Sequence, residues 1–273
     1  EKRNHIGGNC YDFFDKNGVL VHKYGPHYFR TNSDQVVEYL SQFTDWLPQE
    51  FKVRAFVKGE LYPLPINRDT LNAFFRVNLK TEEEAEKFLE EKKEKIKNPQ
   101  NAEEQVLSLA GREIYEAFFK NYTIKQWGIH PKNLDASVTA RIPIRTNTND
   151  CYFNDKFQAM PKEGYTKIFE KMFEKCKVLL ETDYQEIKDK ISYDKLIYTG
   201  PIDAFFNYKY GKLPYRSLKI KFENYKKEFY QDWAQINYPN DYKFTRIVEI
   251  KHVTKQKIPC TTISKEYPTW EGE

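Results

Sequence analysis

Residues 113–145 read EIYEAFFKNYTIKQWGIHPKNLDASVTARIPIR, and the chain changes character across them. An aromatic-rich helix runs into a polar loop carrying Trp127 and Gly128, and a basic, proline-containing segment with Arg141 and Arg145 follows. Helical patterns precede this stretch; residues 139–160 look extended, and strands dominate from Tyr215 onward. Two readings are open. Phe118, Phe119 and Tyr122 at the helix end can hold a flat base, with the arginines holding phosphates through paired N–H donors. The plainer reading is a core helix and a surface loop.

Upstream, EKRNHIGGN (1–9) places an acidic residue shortly before a Gly7-Gly8 turn. In dinucleotide-binding folds an acidic residue at the end of the second strand takes the ribose hydroxyls, about 20 residues after a glycine loop. Nothing precedes Glu1, so the chain reads as beginning inside an element. VLVHKYGPHYFRTN (19–32) is a strand, a Gly25-Pro26 break and a short extended piece. His27 after the break is either a satisfied, partly buried histidine or a ligand contact. Residues 34–43 form a short helix with Val36, Val37, Tyr39, Leu40 and Phe43 inward. VRAFVKGELYPL (53–64) is a hairpin turning at Lys58-Gly59. Asn67 then reads as a turn or cap before a helix near Asp69-Thr70. Residues 81–97 are a charged, solvated helix opened by a Thr81/Glu84 capping box. A further helix from Ala102 breaks at Gly111 and resumes over 112–121, giving a compact helical subdomain.

Downstream, 164–176 is a helix with Ile168, Phe169, Met172 and Phe173 inward, flanked by strands at 177–181 and 194–201. SLKIKFEN (217–224), WAQINY (233–238), TRIVEIKHV (245–253) and CTTISKEYP (260–268) alternate as four strands of an antiparallel sheet. Asn237 and Arg246 fall on neighbouring strands of it. By itself Arg246 reads as an exposed strand residue paired with a carboxylate.

Composition limits the choices. A chain of 273 residues can bury a sizeable core. The net charge of +4 is a small difference between 44 basic and 40 acidic residues, without the concentrated basic face that nucleic acid requires. Aromatics make up 16%, which supplies surfaces for stacking flat ligands as well as core. The four cysteines, Cys10, Cys151, Cys176 and Cys260, lack metal-ligand spacing and suit a reducing cytoplasm. No apolar run approaches the roughly 18 residues of a membrane span.

Taken in order, these segments resemble the UDP-galactopyranose mutases over essentially the whole chain. The residues that carry the likeness are EKRNHIGGN (1–9), VHKYGPHYF (21–29), YPLPIN (62–67), NYTIKQWG (121–128), ARIPIR (140–145), GYTKIFEKM (164–172), YTGPID (198–203), YRSLK (215–219), FTRIVEIKH (244–252) and SKEYP (264–268). The resemblance implies an α/β fold: an incomplete FAD-binding Rossmann-like domain (1–66 and 164–203), an inserted helical domain with a mobile loop (67–138), and an antiparallel sheet domain (139–163 and 204–268). It implies an isomerase that interconverts UDP-galactopyranose and UDP-galactofuranose for cell-surface polysaccharide synthesis. The reaction has no net redox change and runs through a covalent adduct at N5 of reduced FAD. It further implies a homodimer acting in the cytoplasm, with no membrane or nucleic-acid partner.

Carried over residue by residue, the likeness gives Glu1, Gly8, Asn9 and His27 to the cofactor. It gives Asn67, Phe118, Phe119, Tyr122, Thr123, Tyr152 and Asn237 to the substrate, with Asn237 joining Phe118, Phe119 and Tyr122 around the uracil and Tyr152 donating to the phosphates. Trp127 lies near the sugar, and Arg141 and Arg246 grip the diphosphate from opposite sides. Arg145 is expected to be structural. Two departures stand out. Arg30 occupies a position where many family members carry histidine, which points to an altered sugar preference. The N-terminal glycine loop and a C-terminal segment of the family lie outside these residues, so the chain as given is expected to hold FAD poorly. The alternatives are a related mutase for another nucleotide sugar, an FAD-dependent oxidoreductase of the amine-oxidase type, and a non-catalytic nucleotide-sugar-binding protein.

Overall fold

The computed structural model describes residues 1–270. In chain order the strands are β1 (Asp12–Phe14), β2 (Leu20–His22), β3 (Phe29–Thr31), β4 (Trp46–Pro48), β5 (Val53–Val57), β6 (Glu60–Leu64), β7 (Phe157–Pro161), β8 (Ser217–Tyr225), β9 (Gln235–Asn237), β10 (Arg246–Val248) and β11 (Thr261–Thr269). The principal helices are α1 (Asp34–Ser41), α2 (Arg68–Phe75), α3 (Glu82–Lys92), α4 (Ala102–Ile114), α5 (Asn121–Trp127), α6 (Ser137–Ala140) and α7 (Tyr165–Met172).

The largest sheet has six strands in the order β6-β5-β9-β10-β11-β8. The four strands expected after Tyr215 are therefore neighbours and antiparallel, as read. The hairpin expected at 53–64 extends that sheet, because β5 pairs parallel with β9. Lys58 and Gly59 turn the hairpin with φ of 51° and 84°, the left-handed pair that a two-residue turn demands. A second sheet runs β3-β7-β4, and β1 pairs with β2.

The helical layer covers the hairpin. Asn67, Thr81 and Asn101 each cap a helix by accepting a backbone N–H three residues on. Helix α4 breaks at Gly111, whose φ of 81° and ψ of 177° are not helical. A Cβ there would lie 2.2 Å from the Lys92 carbonyl oxygen, so only glycine lets α4 pass the end of α3. The same approach ends α3 at Lys92 rather than near residue 97, and Glu94 N–H turns to the Leu107 carbonyl. Behind the break, Tyr115–Lys120 is a π-helical turn. One apolar core joins β5 and β6 to these helices through Val57, Leu71, Ile114 and Phe118. A second gathers Phe51, Met160, Ile168 and Val248 beneath β7, α7 and β10.

Several expectations change. Helix α1 forms, but Val36 and Tyr39 face solvent while Leu40 and Phe43 pack inward. The apolar runs at 177–181 and 194–201 are not strands. A strand needs a ladder, and residues 179–182 instead bond to the backbone of residues 1–3: Glu1 N–H to Leu179 O, Glu181 N–H to Arg3 O, and Thr182 N–H to Glu1 O. Within 139–160 only Phe157 onward is strand, and within 245–253 the strand ends at Val248 before a helical turn, Lys251–Thr254.

Candidate active site

The six-stranded sheet, the π turn with α5, the segment 26–30 and the end of α6 enclose a cavity of about 600 Å³. That is the size of a pocket for a drug-sized ligand.

One wall is aromatic. The π turn inserts a residue into the helix and frees the Ala117 carbonyl, which accepts from Asn240 Nδ2 at 3.0 Å. Asn121 Nδ2 donates to Asn240 Oδ1 at 3.0 Å and Lys125 Nζ reaches Tyr238 O at 2.8 Å, so three bonds tie the helix to the residues that follow β9. Phe118, Phe119, Tyr122 and Thr123 line the cavity from this element. Burial pushes the Tyr122 hydroxyl up to about 12, with Arg246 opposing the rise, so it stays protonated and able to donate.

The floor is a cross-strand row. Asn237 of β9 stands opposite Arg246 of β10, and Arg246 opposite Glu266 of β11. Arg246 Nε donates to Glu266 Oε2 at 2.6 Å, and Glu266 is 1% exposed. Burial pulls the Arg246 pKa down, but the Glu266 carboxylate more than offsets this, and the net shift is upward. The terminal nitrogens of Arg246 carry no protein acceptor among the described residues. Arg141 follows α6, is exposed, and has no side-chain partner among the described residues. Both arginines line the cavity with Tyr152, whose ring packs edge-on against Phe153.

Trp127 lines the same space, but it closes helix α5 rather than riding a loop. The helix continues through it because Gly128 provides the left-handed stop: φ is 67°, with its N–H on Ile124 O at 2.7 Å. A Cβ on Gly128 would lie 2.7 Å from Trp270 Nε1. Arg216 stacks over Trp270 and donates to the Lys125 and Gln126 carbonyls, a cation at the negative end of the helix.

The opposite side belongs to residues 10–30. His27 is held on three sides: its N–H donates to His22 Nδ1 at 3.1 Å, its Nδ1 meets Gly25 O, and its carbonyl accepts from the Tyr165 hydroxyl. Burial, with His27 nearby, drives the His22 pKa down to about 3, so its ring is neutral and Nδ1 is free to accept. Arg30 lines the cavity while donating to Asp155 at 2.8 Å and lying over the Phe153 ring at 4.4 Å.

Four expected site residues do not line this cavity. Asn67 is fully buried, and its Oδ1 caps α2 at Thr70. Its oxygen takes the capping role, and its Nδ2 has no hydrogen-bond partner among the described residues. Glu1, Gly8 and Asn9 lie outside the lining, which begins at Cys10. Arg3 bridges Glu1 and Asn9, donating its N–H to the Glu1 carboxylate and its guanidinium to Asn9 Oδ1, each at 2.9 Å. Arg145 is structural as expected, donating to Asn149 O, Cys151 O and Asn154 Oδ1. Sequence reasoning missed Glu266, Gln235, Tyr28 and Arg216. Glu266 was detectable: it shares the inward phase of β11 with Thr262 and Ser264.

Among the described residues no helix is long and apolar enough to cross a membrane. The family model of UDP-galactopyranose mutase matches residues 117–273, and that of an NAD(P)-binding Rossmann-like domain matches residues 1–43. The chain is 42% identical over 277 residues to a probable UDP-galactopyranose mutase of Klebsiella pneumoniae, covering 100% of this chain and 72% of that protein. It is 35% identical over 263 residues to the dTDP-fucopyranose mutase of Escherichia coli, covering 93% and 70% respectively. The fold is also that of a crystal structure of reduced UDP-galactopyranose mutase, with a TM-score of 0.72 at 17% identity over 98% of this chain and 68% of that one.

Proposed function

The chain belongs to the UDP-galactopyranose mutase family, a family of isomerases, and from that premise we propose that its own reaction is the interconversion of UDP-galactopyranose and UDP-galactofuranose. The observation that carries this reading is the meeting of Arg141, Arg246 and the Phe118–Phe119–Tyr122 wall in one cavity of about 600 Å³.

The wall stacks and encloses the uracil, and Thr123 adds a hydroxyl beside it. Arg246, fixed at Nε by Glu266, offers its remaining donors to the diphosphate from the sheet. Arg141, which has no competing protein partner among the described residues, offers a second cation from the end of α6. Two cations stabilise UDP as it leaves the anomeric carbon. Trp127 and the α6 end shield the sugar from water, which prevents hydrolysis of the activated sugar.

The residues at the N-terminal side fit a flavin dinucleotide. Glu1 has one carboxylate oxygen engaged by Arg3 and the other open to a ribose hydroxyl. Open space stands beside Gly8, and His27 is clamped at the cavity edge. Glu1, Gly8, Asn9 and His27 would hold FAD, which in its reduced form supplies a nucleophile for the anomeric carbon. His27 stays oriented because buried, neutral His22 fixes its backbone. An oxidoreductase of the amine-oxidase type has no use for the two arginines.

The joining of the N-terminal segment with 164–203 follows the same reading, supported by the bonding of residues 179–182 to residues 1–3, whereas the β5–β6 hairpin goes with the six-stranded sheet and β7 with β3 and β4. A homodimer in the cytoplasm serving cell-surface polysaccharide synthesis completes it; the four free cysteines suit that compartment. A second reading, another nucleotide sugar, is favoured by one feature. Arg30 brings a charged, tethered side chain to the cavity beside Phe153. Turnover of UDP-galactopyranose in the presence and absence of reductant tests the main reading.

A further inference from the structure

Strand β9 carries two amides on its cavity side. Gln235 and Asn237 are two positions apart, so both project from one face of the sheet. Both line the cavity, and they are 3% and 6% exposed. Gln235 Nε2 donates to Asn237 Oδ1 at 2.9 Å. An amide side chain has one accepting end and one donating end. With its accepting end occupied by Gln235, Asn237 turns its donating end to the cavity. No protein acceptor takes Asn237 Nδ2 among the described residues, and it is not a sealed, orphaned atom.

The neighbour of Asn237 across the sheet is Arg246, whose Nε is held by Glu266. Two sets of donors thus stand side by side. The reversed amide would set a carbonyl oxygen against the same space, where it would repel an anionic oxygen instead of donating to it. A hydrogen bond to an anion is roughly twice as strong as a neutral one, so the orientation matters most for a charged ligand.

We propose that Gln235 is a positioning residue: it orients the Asn237 amide so that Nδ2 joins Arg246 in binding a diphosphate. This rests on the UDP-sugar reading of the cavity. Gln235 acts through Asn237 and not on the base, so its effect separates the two halves of the nucleotide.

The test compares UDP with uridine, which has the base and ribose but no diphosphate, by titration calorimetry on the protein. Gln235→Met keeps length and burial but frees the amide; UDP binding weakens about tenfold while uridine binding stays within about twofold. Gln235→Glu presents a carboxylate that accepts from Asn237 Nδ2 and turns Oδ1 inward; the loss for UDP is larger, with uridine again within about twofold. Uridine binding also reports that each variant is folded. Equal losses for both ligands, no loss for either, or loss of uridine binding by both variants assigns Gln235 a merely structural role and overturns the proposal. Wild-type protein that binds neither ligand contradicts the UDP-sugar reading itself.

Discussion

Arg246 and Glu266 face each other across the antiparallel pair β10·β11, with Nε 2.6 Å from Oε2 and the carboxylate almost wholly buried. Arg246→Ala strands that carboxylate. Breaking one side of such a pair costs about 3 kcal/mol, whereas replacing both partners by apolar residues is nearly neutral. Urea unfolding at pH 7 therefore shows a large loss for Arg246→Ala and a small one for Arg246→Met with Glu266→Leu. Neither protein regains turnover, because the diphosphate loses its cation; kcat/KM falls by about 100-fold or more in both. Equal stability of the single and double variants would contradict the pairing.

His22 makes stability pH-dependent in a defined direction. Its folded pKa, about 3, lies below the ordinary value of 6.5. Between those values the unfolded chain binds the proton and the folded one does not. Stability is thus highest above pH 6.5 and falls as pH drops toward 3, at about 1.4 kcal/mol per unit. Asp12, raised by burial, works in the opposite sense above pH 3.8. The difference between wild type and His22→Gln removes that shared contribution to first order. Urea unfolding from pH 7 to pH 4 should show wild type losing its advantage steadily; a constant difference refutes a neutral His22.

Gly128 holds a φ that side chains disfavour and has no room for a Cβ beside Trp270. Gly128→Ala lowers stability by about 1–2 kcal/mol and shifts Trp127 at the helix end. KM for the nucleotide sugar rises with it. Thermal unfolding and steady-state kinetics check the pair of effects; a variant with unchanged midpoint and KM would show that the end of α5 does not position Trp127.

Arg30 is tethered to Asp155 at the cavity. Arg30→His changes the ratio of kcat/KM for UDP-galactose against a UDP-sugar with a 2-acetamido, deoxy or uronic group by about tenfold. Parallel assays on such a panel read the ratio. An unchanged ratio, with UDP-galactose turned over as before, removes Arg30 from sugar selection.

Much of this was legible in the sequence, for local reasons. Lys58-Gly59, Thr81 and the alternation after Tyr215 name their structures because turn, cap and period are properties of a few adjacent residues. The cavity lining at Phe118, Tyr122, Arg141, Tyr152, Asn237 and Arg246 followed from the family pattern. Asn67 was legible as a cap from its position before Asp69-Thr70, and Thr70 takes its oxygen as that position implies. Misreadings came where a distant partner decides. The runs at 177–181 and 194–201 had strand composition but no ladder. Glu266 acts through Arg246 on the neighbouring strand, a contact that depends on register and that no single segment reveals. Gln235 and Asn237 share one face of β9, so period-2 spacing alone places them together.

The most direct measurement incubates the protein with FAD and UDP-galactofuranose, with and without dithionite, and separates the nucleotide sugars by chromatography. The geometry of Arg141, Arg246 and the aromatic wall predicts UDP-galactopyranose in the reduced reaction and almost none in the oxidised one. Failure to isomerise UDP-galactofuranose or any other UDP- or dTDP-sugar furanose under reducing conditions, with FAD bound, would contradict the account.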